Sequence, residues 1–150
     1  IFTMPNADTD GRTLIKMVEQ FVSQHTNAHA FTSLGQLRYL SGIAQVDGVM
    51  GNSSSGLAEV PSFKKGTINI GDRQRGRLQA TSVINCEPTQ QSISDAINTL
   101  YSPSFQMDLS QVCNPYGEGG ASEEIVKIIK SVTLDGLIKK HFYDVSQACA

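Results

Sequence analysis

The residues best suited to chemistry lie between Gly51 and Arg77. Asn52-Ser53-Ser54-Ser55-Gly56 stands between an apolar run and a short helical segment. A helix start presents free N–H groups and a positive dipole end, so a loop of hydroxyls there suits an anion, and Gly56 lets backbone approach closely. Serine and asparagine are equally favoured as plain helix N-caps, and the segment by itself supports both readings. Glu59 follows one helical turn on. A carboxylate there repels a phosphate but can accept both hydroxyls of a ribose; a solvated helix glutamate is the plainer role. Gly71-Asp72-Arg73-Gln74-Arg75-Gly76-Arg77 follows the next apolar run. Arginines clamp a diphosphate through paired hydrogen bonds, although an isolated group of them is ordinarily surface. One loop rich in donors and one rich in arginine, placed after adjacent strands, together favour a phosphate site.

The other reactive side chains read more simply. His25, His29 and His141 suit surface or capping positions. Asp8 and Asp72 form a candidate carboxylate pair for acid–base work, but aspartate in the turn after a strand is common. Gly117-Glu118-Gly119-Gly120 can add amides to a phosphate site or simply start the helix behind it. Cys86, Cys113 and Cys149 are odd in number and lack a CxxC pair, which points to reduced thiols, not to a disulfide framework or zinc site. No His/Asp/Glu group has ligand spacing, so neither metal nor cofactor is expected.

Composition narrows the function class. With 150 residues, 39% hydrophobic and 17% charged, the chain can build one ordinary globular core. A net charge of −2 gives no electrostatic footprint for nucleic acid, and Arg73, Arg75 and Arg77 suit one or two phosphates better than a duplex. No stretch reaches the roughly 20 apolar residues of a membrane span. The chain opens on Ile1-Phe2-Thr3-Met4-Pro5 with no basic leader, which reads as the interior of a longer, cytoplasmic protein.

The elements that must position these loops alternate. Short apolar runs at 1–4, 29–32, 46–50, 66–71 and 82–86 read as strands. Helical spacing of apolar residues covers 12–24, 36–45, 89–101 and 121–132, with shorter helices after 56 and from Pro103. Thr89 is a candidate N-cap. Alternation of this kind predicts parallel βαβ units, hence a Rossmann-like three-layer α/β/α domain with a parallel sheet. Ligands of such sheets sit beyond the carboxyl ends of the strands, where 5–11, 33–36, 51–56 and 71–77 fall. Residues 133–150 read as a possible crossover tail.

Four blocks in order resemble the signature of the UDP-N-acetylglucosamine 2-epimerases, most closely the hydrolysing branch of sialic-acid-type sugar synthesis. They are Met4-Pro5-Asn6-Ala7-Asp8, Gly51 through Phe63, Thr67 through Arg77, and Asn114-Pro115-Tyr116-Gly117-Glu118-Gly119. The family has two Rossmann-like domains of the GT-B type with the active site between them. The resemblance therefore implies that residues 1–150 are the carboxy-terminal, UDP-binding domain of a homodimeric parent. It implies that Ser53 and Ser54 hold the diphosphate of UDP with Arg73 near it, and that Glu59 meets the ribose. Leu34 and Tyr39 would lie beside the uracil, and Asn6 and Arg77 near the substrate cleft. The reaction implied is elimination of UDP from UDP-N-acetylglucosamine, followed by hydration to N-acetylmannosamine. The resemblance implies that the family's catalytic acids and bases lie on its amino-terminal domain and its catalytic histidine on a strand just before residue 1, so none is expected in this chain. A glycosyltransferase domain of the same architecture and a non-catalytic nucleotide-binding module are the competing classes.

Two regions depart from the family pattern. Where it reads Ser-Phe-Gly-x-Pro before the strand at 67, this chain has Ser62-Phe63-Lys64-Lys65-Gly66. Where the mammalian relative carries arginines for feedback by a sialic-acid nucleotide, this chain has Lys16 and Glu19.

Overall fold

The computed structural model describes residues 1–5, 10–136 and 138–139. Asn6, Asp8, His141, Cys149 and most of the 133–150 stretch lie outside the described residues. The chain divides into two compact units, Ile1–Gly117 and Glu118–Ala150.

In the first unit strands and helices alternate as the apolar spacing predicts up to the strand Gly66–Ile70, after which the next strand follows without a helix between. The order is β1 (Phe2–Thr3), α1 (Gly11–Gln24), β2 (Ala30–Phe31), α2 (Gly35–Gln45), β3 (Gly48–Gly51) and α3 (Ser55–Ala58). A 3-10 turn, Val60–Phe63, leads into β4 (Gly66–Ile70), β5 (Val83–Cys86), α4 (Gln90–Leu100) and α5 (Pro103–Asp108). All strand pairing is parallel. β1 pairs with β2, and β3, β4 and β5 form a second ladder in that order. The fold is Rossmann-like α/β, built among the described residues from two ladders with no hydrogen bond between them.

β4 runs through the centre of the larger ladder, and Gly66, Thr67, Ile68 and Asn69 are all buried. Ile68 packs with Ala96 and Leu100 of α4, with Ile70, Ile84, Ile97 and Phe105 around them. Leu100 fills a notch made by two glycines paired across the ladder, Gly48 and Gly66. A Cβ on Gly66 would lie 2.2 Å from Leu100 Cδ1, and one on Gly48 would lie 3.0 Å from Leu100 Cδ2. α4 starts at Thr89, whose side chain accepts a hydrogen bond from Ser92 N. A second cluster joins Ala80, Leu109 and Val112.

The amphipathic faces are buried less evenly than their spacing suggests. On α2 Ile43 is buried while Leu37 is exposed, and on α1 Leu14, Met17 and Phe21 are all exposed. His25 closes α1, with Nδ1 2.7 Å from Phe21 O and its ring stacked on Phe21. The turn before β4 keeps a left-handed residue, Lys64 at φ 55°, a conformation that costs a non-glycine residue about 1 kcal/mol or more. The Lys64 ammonium donates to Val112 O and so joins this turn to the second cluster.

In the second unit α6 (Ala121–Ser131) starts after Gly120, which takes φ 80°. Glu123 and Glu124 occupy its first turn, favourable for the helix dipole, and its apolar residues Ile125, Ile128 and Ile129 are exposed.

Candidate functional site

The two candidate loops leave adjacent parallel strands on the same edge of the ladder, the serine loop after β3 and the arginine loop after β4. Neighbouring strands lie about 4.8 Å apart, so the topology alone sets the loops side by side. A side chain that the charge pattern gave no reason to single out then joins them. Gln74 is only 3% exposed, and its Nε2 donates to Asn52 O at 2.7 Å. Its Oε1 is buried and has no hydrogen-bond partner among the described residues. The arginine loop is thus anchored by its one neutral long side chain, while Arg73, Arg75 and Arg77 are exposed around it. Tight turns shape it: Arg75 N donates to Asp72 O at 2.9 Å and Arg77 N to Gln74 O at 3.2 Å. Gly71 and Gly76 sit at φ 77° and 81°, a region that glycine enters without the Cβ penalty.

The serine loop differs in detail from a bare helix terminus. α3 is a single turn, and the amides of Gly56, Leu57 and Ala58 already donate to the carbonyls of Ser53 and Ser54. Ser53 Oγ accepts a long bond of 3.4 Å from Ser55 N, and Ser54 makes no side-chain cap. The Ser54 hydroxyl is exposed and has no hydrogen-bond partner among the described residues. The hydroxyls, more than the helix amides, are therefore what this loop offers an anion. Gly56 is buried against β4, not turned to an open surface: a Cβ on it would lie 2.6 Å from Thr67 Cγ2, and Thr67 Oγ1 donates to Gly56 O at 2.7 Å. Its missing side chain serves the packing of α3 on β4.

Glu59 is half-buried and Ser55 Oγ donates to its Oε2. Tyr39, half-buried on α2, lies 2.5 Å from the same Ser55 Oγ through its hydroxyl. Leu34, also half-buried, is the residue on which α2 starts. The turn there is fixed by Gly35 N donating to Ser33 Oγ at 3.2 Å. The structure thus brings Tyr39 to Glu59 through Ser55, and brings the Arg73 loop to the Ser53 loop through Gln74.

The Asn114-Pro115-Tyr116 block braces these loops from behind. Asn114 Nδ2 donates to Ala58 O at 2.8 Å and to Ser62 Oγ at 2.7 Å, holding the end of α3 and the turn after it. Tyr116 donates to Leu78 O at 3.1 Å, just past the arginine loop. On the β5 side of that loop lies a cleft of about 380 Å³, lined by Asn69, Asp72, Arg75, Asn85, Cys86 and Glu87 among others. Burial pushes the Cys86 thiol above its ordinary pKa, and neighbouring Glu87 adds to the shift. Among the described residues no group of His, Cys, Asp and Glu is arranged to hold a metal ion, and no helix is long and apolar enough to cross a membrane.

Comparison with known proteins gives these loops their context. Residues 1–130 match the family model described as UDP-N-acetylglucosamine 2-epimerase. A GDP/UDP-N,N'-diacetylbacillosamine 2-epimerase (hydrolyzing) of Campylobacter jejuni is 37% identical over 147 residues, 97% of this chain and 38% of that protein. Polysialic acid biosynthesis protein P7 of Escherichia coli is 36% identical over 98% of this chain and 38% of its own length. A UDP-N,N'-diacetylbacillosamine 2-epimerase (hydrolyzing) of Legionella pneumophila is 29% identical over 89% of this chain and 34% of its length. The chain therefore spans little more than a third of the length of these three relatives. With the family pattern matched from residue 1 to residue 130, all of β1 to β5 included, the chain belongs to the UDP-N-acetylglucosamine 2-epimerase family.

Proposed function

We propose that this chain is the UDP-binding half of a hydrolysing UDP-N-acetylglucosamine 2-epimerase that serves sialic-acid-type sugar synthesis. The observation that carries the reading is the Gln74–Asn52 hydrogen bond, which holds the arginine loop against the serine loop at the carboxyl edge of β3 and β4. In this reading Ser53, Ser54 and Arg73 meet the diphosphate, Glu59 meets the ribose, and Leu34 and Tyr39 flank the uracil. Arg77, and Asn6 outside the described residues, face the sugar. Their work is electrostatic. As the C1–O bond breaks, its electron pair goes to the departing diphosphate, and donors set in advance around that group stabilise the growing charge. The C2 proton leaves as the C1=C2 bond forms. Water then returns a hydroxyl to C1 and a proton to the other face of C2, giving N-acetylmannosamine and UDP. The groups that move these protons belong, in this reading, to an amino-terminal α/β domain, and the parent is a homodimer.

The relatives' names favour a second reading of the sugar, an N,N'-diacetylbacillosamine nucleotide. The test is UDP release from each of the two sugar nucleotides by the full-length protein, with no acceptor added. Release from UDP-N-acetylglucosamine, with an epimerised free sugar formed in equal amount, supports the proposal, and such release from the diacetylbacillosamine nucleotide alone supports the second reading of the sugar. Release that requires an acceptor alcohol would instead make the protein a glycosyltransferase.

A further inference from the structure

Ser55 is the central member of a three-residue hydrogen-bonded chain that ties α2 to α3. Tyr39 lies in α2, Ser55 is the first residue of α3, and Glu59 directly follows that helix. The Tyr39 hydroxyl is 2.5 Å from Ser55 Oγ, and Ser55 Oγ donates to Glu59 Oε2. Proton inventory gives the chain its direction. An ionised carboxylate only accepts, and a serine hydroxyl has a single proton to give. That proton goes to Glu59, so Tyr39 must be the donor to Ser55. All three side chains are half-buried, which strengthens each bond relative to water. Glu59 Oε1 makes no hydrogen bond among the described residues.

From this arrangement we infer that Ser55 is a positioning residue for nucleotide recognition, holding Glu59 so that its Oε1 accepts one particular ribose hydroxyl. The inference rests on the UDP reading above and adds to it a residue and a selectivity. Without Ser55, the Glu59 carboxylate turns freely about its terminal torsion and no longer favours one hydroxyl. Tyr39 acts through Ser55: its hydroxyl anchors the far end of the chain and holds the aromatic ring in place beside the base.

The experiment is calorimetric titration of the full-length protein with UDP, 2'-deoxy-UDP and 3'-deoxy-UDP. The variants are Ser55→Ala, Tyr39→Phe and the double variant. In the unmodified protein, loss of one of the two hydroxyls weakens binding by about tenfold or more, the size of a hydrogen bond to a charged group, and loss of the other weakens it much less. Ser55→Ala brings the two deoxy analogues together, lowering the ratio of their affinities by at least about threefold. Tyr39→Phe moves the ratio the same way by less, and the double variant matches Ser55→Ala because both changes break one chain. An unchanged ratio in Ser55→Ala, or losses that simply add in the double variant, overturns the inference while UDP binding stands. If Ser55→Ala does not fold, an unchanged ratio in Tyr39→Phe overturns it instead. Failure of the unmodified protein to bind UDP overturns the UDP reading itself, and this inference with it.

Discussion

Among single residues, the proposed reading gives the arginines and serines separable duties, and energy magnitudes tell them apart. Arg73→Lys is expected to weaken UDP by about 1–3 kcal/mol, because a planar two-pronged donor becomes a point charge. Ser53→Ala and Ser54→Ala should each cost about 0.5–1.5 kcal/mol, the value of a neutral hydrogen bond. Glu59→Gln should weaken UDP and uridine by the same factor, since its proposed partner is the ribose. Titration of both ligands into the four variants checks this. If Arg73→Lys and Glu59→Gln bind UDP like the unmodified protein, the roles given to these residues are wrong. The thiols allow a separate test. Cys113 is exposed, whereas burial and Glu87 raise the pKa of Cys86. A raised thiol pKa leaves less thiolate at a given pH, so iodoacetamide should label Cys113 first at pH 8. Cys86 should follow only as the pH climbs above the ordinary thiol range. Mass spectrometry of the two peptides measures the order, and equal rates at pH 8 would contradict it.

Among elements, the glycines and Gln74 decide whether the loops hold their places. Gly66 and Gly48 leave the notch that Leu100 fills, so α4 sits close on the ladder that carries both loops. Gly66→Ala is expected to cost about 1–3 kcal/mol, because the added carbon must displace Leu100 or Phe105 in a packed interior. A urea midpoint equal to that of the unmodified protein would show that the notch has slack. Gln74→Leu removes the Gln74–Asn52 hydrogen bond between the loops while keeping most of the buried volume. Binding of UDP should weaken about tenfold, with the melting temperature moving little, because a loop that can drift must be ordered again by the ligand. A drop in melting temperature with no loss of affinity would make Gln74 a packing residue only.

For the whole molecule, the expectation follows from the share of the relatives that this chain covers, 38% for the two most similar ones named above. If, as proposed, this domain stabilises the leaving diphosphate and the groups that take the C2 proton lie in another domain, it should bind UDP and turn nothing over. The purified 150-residue chain should therefore titrate with UDP and release none from UDP-N-acetylglucosamine over hours. Measurable turnover would locate acid–base chemistry within these residues. Binding should also be indifferent to a chelator, since Arg73 and the serine hydroxyls are proposed to meet the diphosphate directly. Loss of UDP binding on adding EDTA would refute that.

What could be read from the amino-acid order alone was whatever depends on local periodicity and on motif. Apolar spacing at 12–24, 36–45 and 89–101 announced α1, α2 and α4 to within a residue or two, because helix and strand differ in period over a few neighbouring positions. The alternation of those elements implied parallel pairing, and four ordered blocks pointed to the family. Tertiary packing decided the rest. Nothing in the charge pattern singles out Gln74 between its arginines, yet it is the buried member of its loop, since a neutral amide can be desolvated at far lower cost than a guanidinium. Gly56 suited a ligand-facing loop but gives its space to Thr67, because α3 packs directly on β4. Ser55 was one of three adjacent serines until the fold brought Tyr39, 16 residues away in sequence, to its hydroxyl. Such contacts join positions that no local pattern relates, and only the closed chain makes them neighbours.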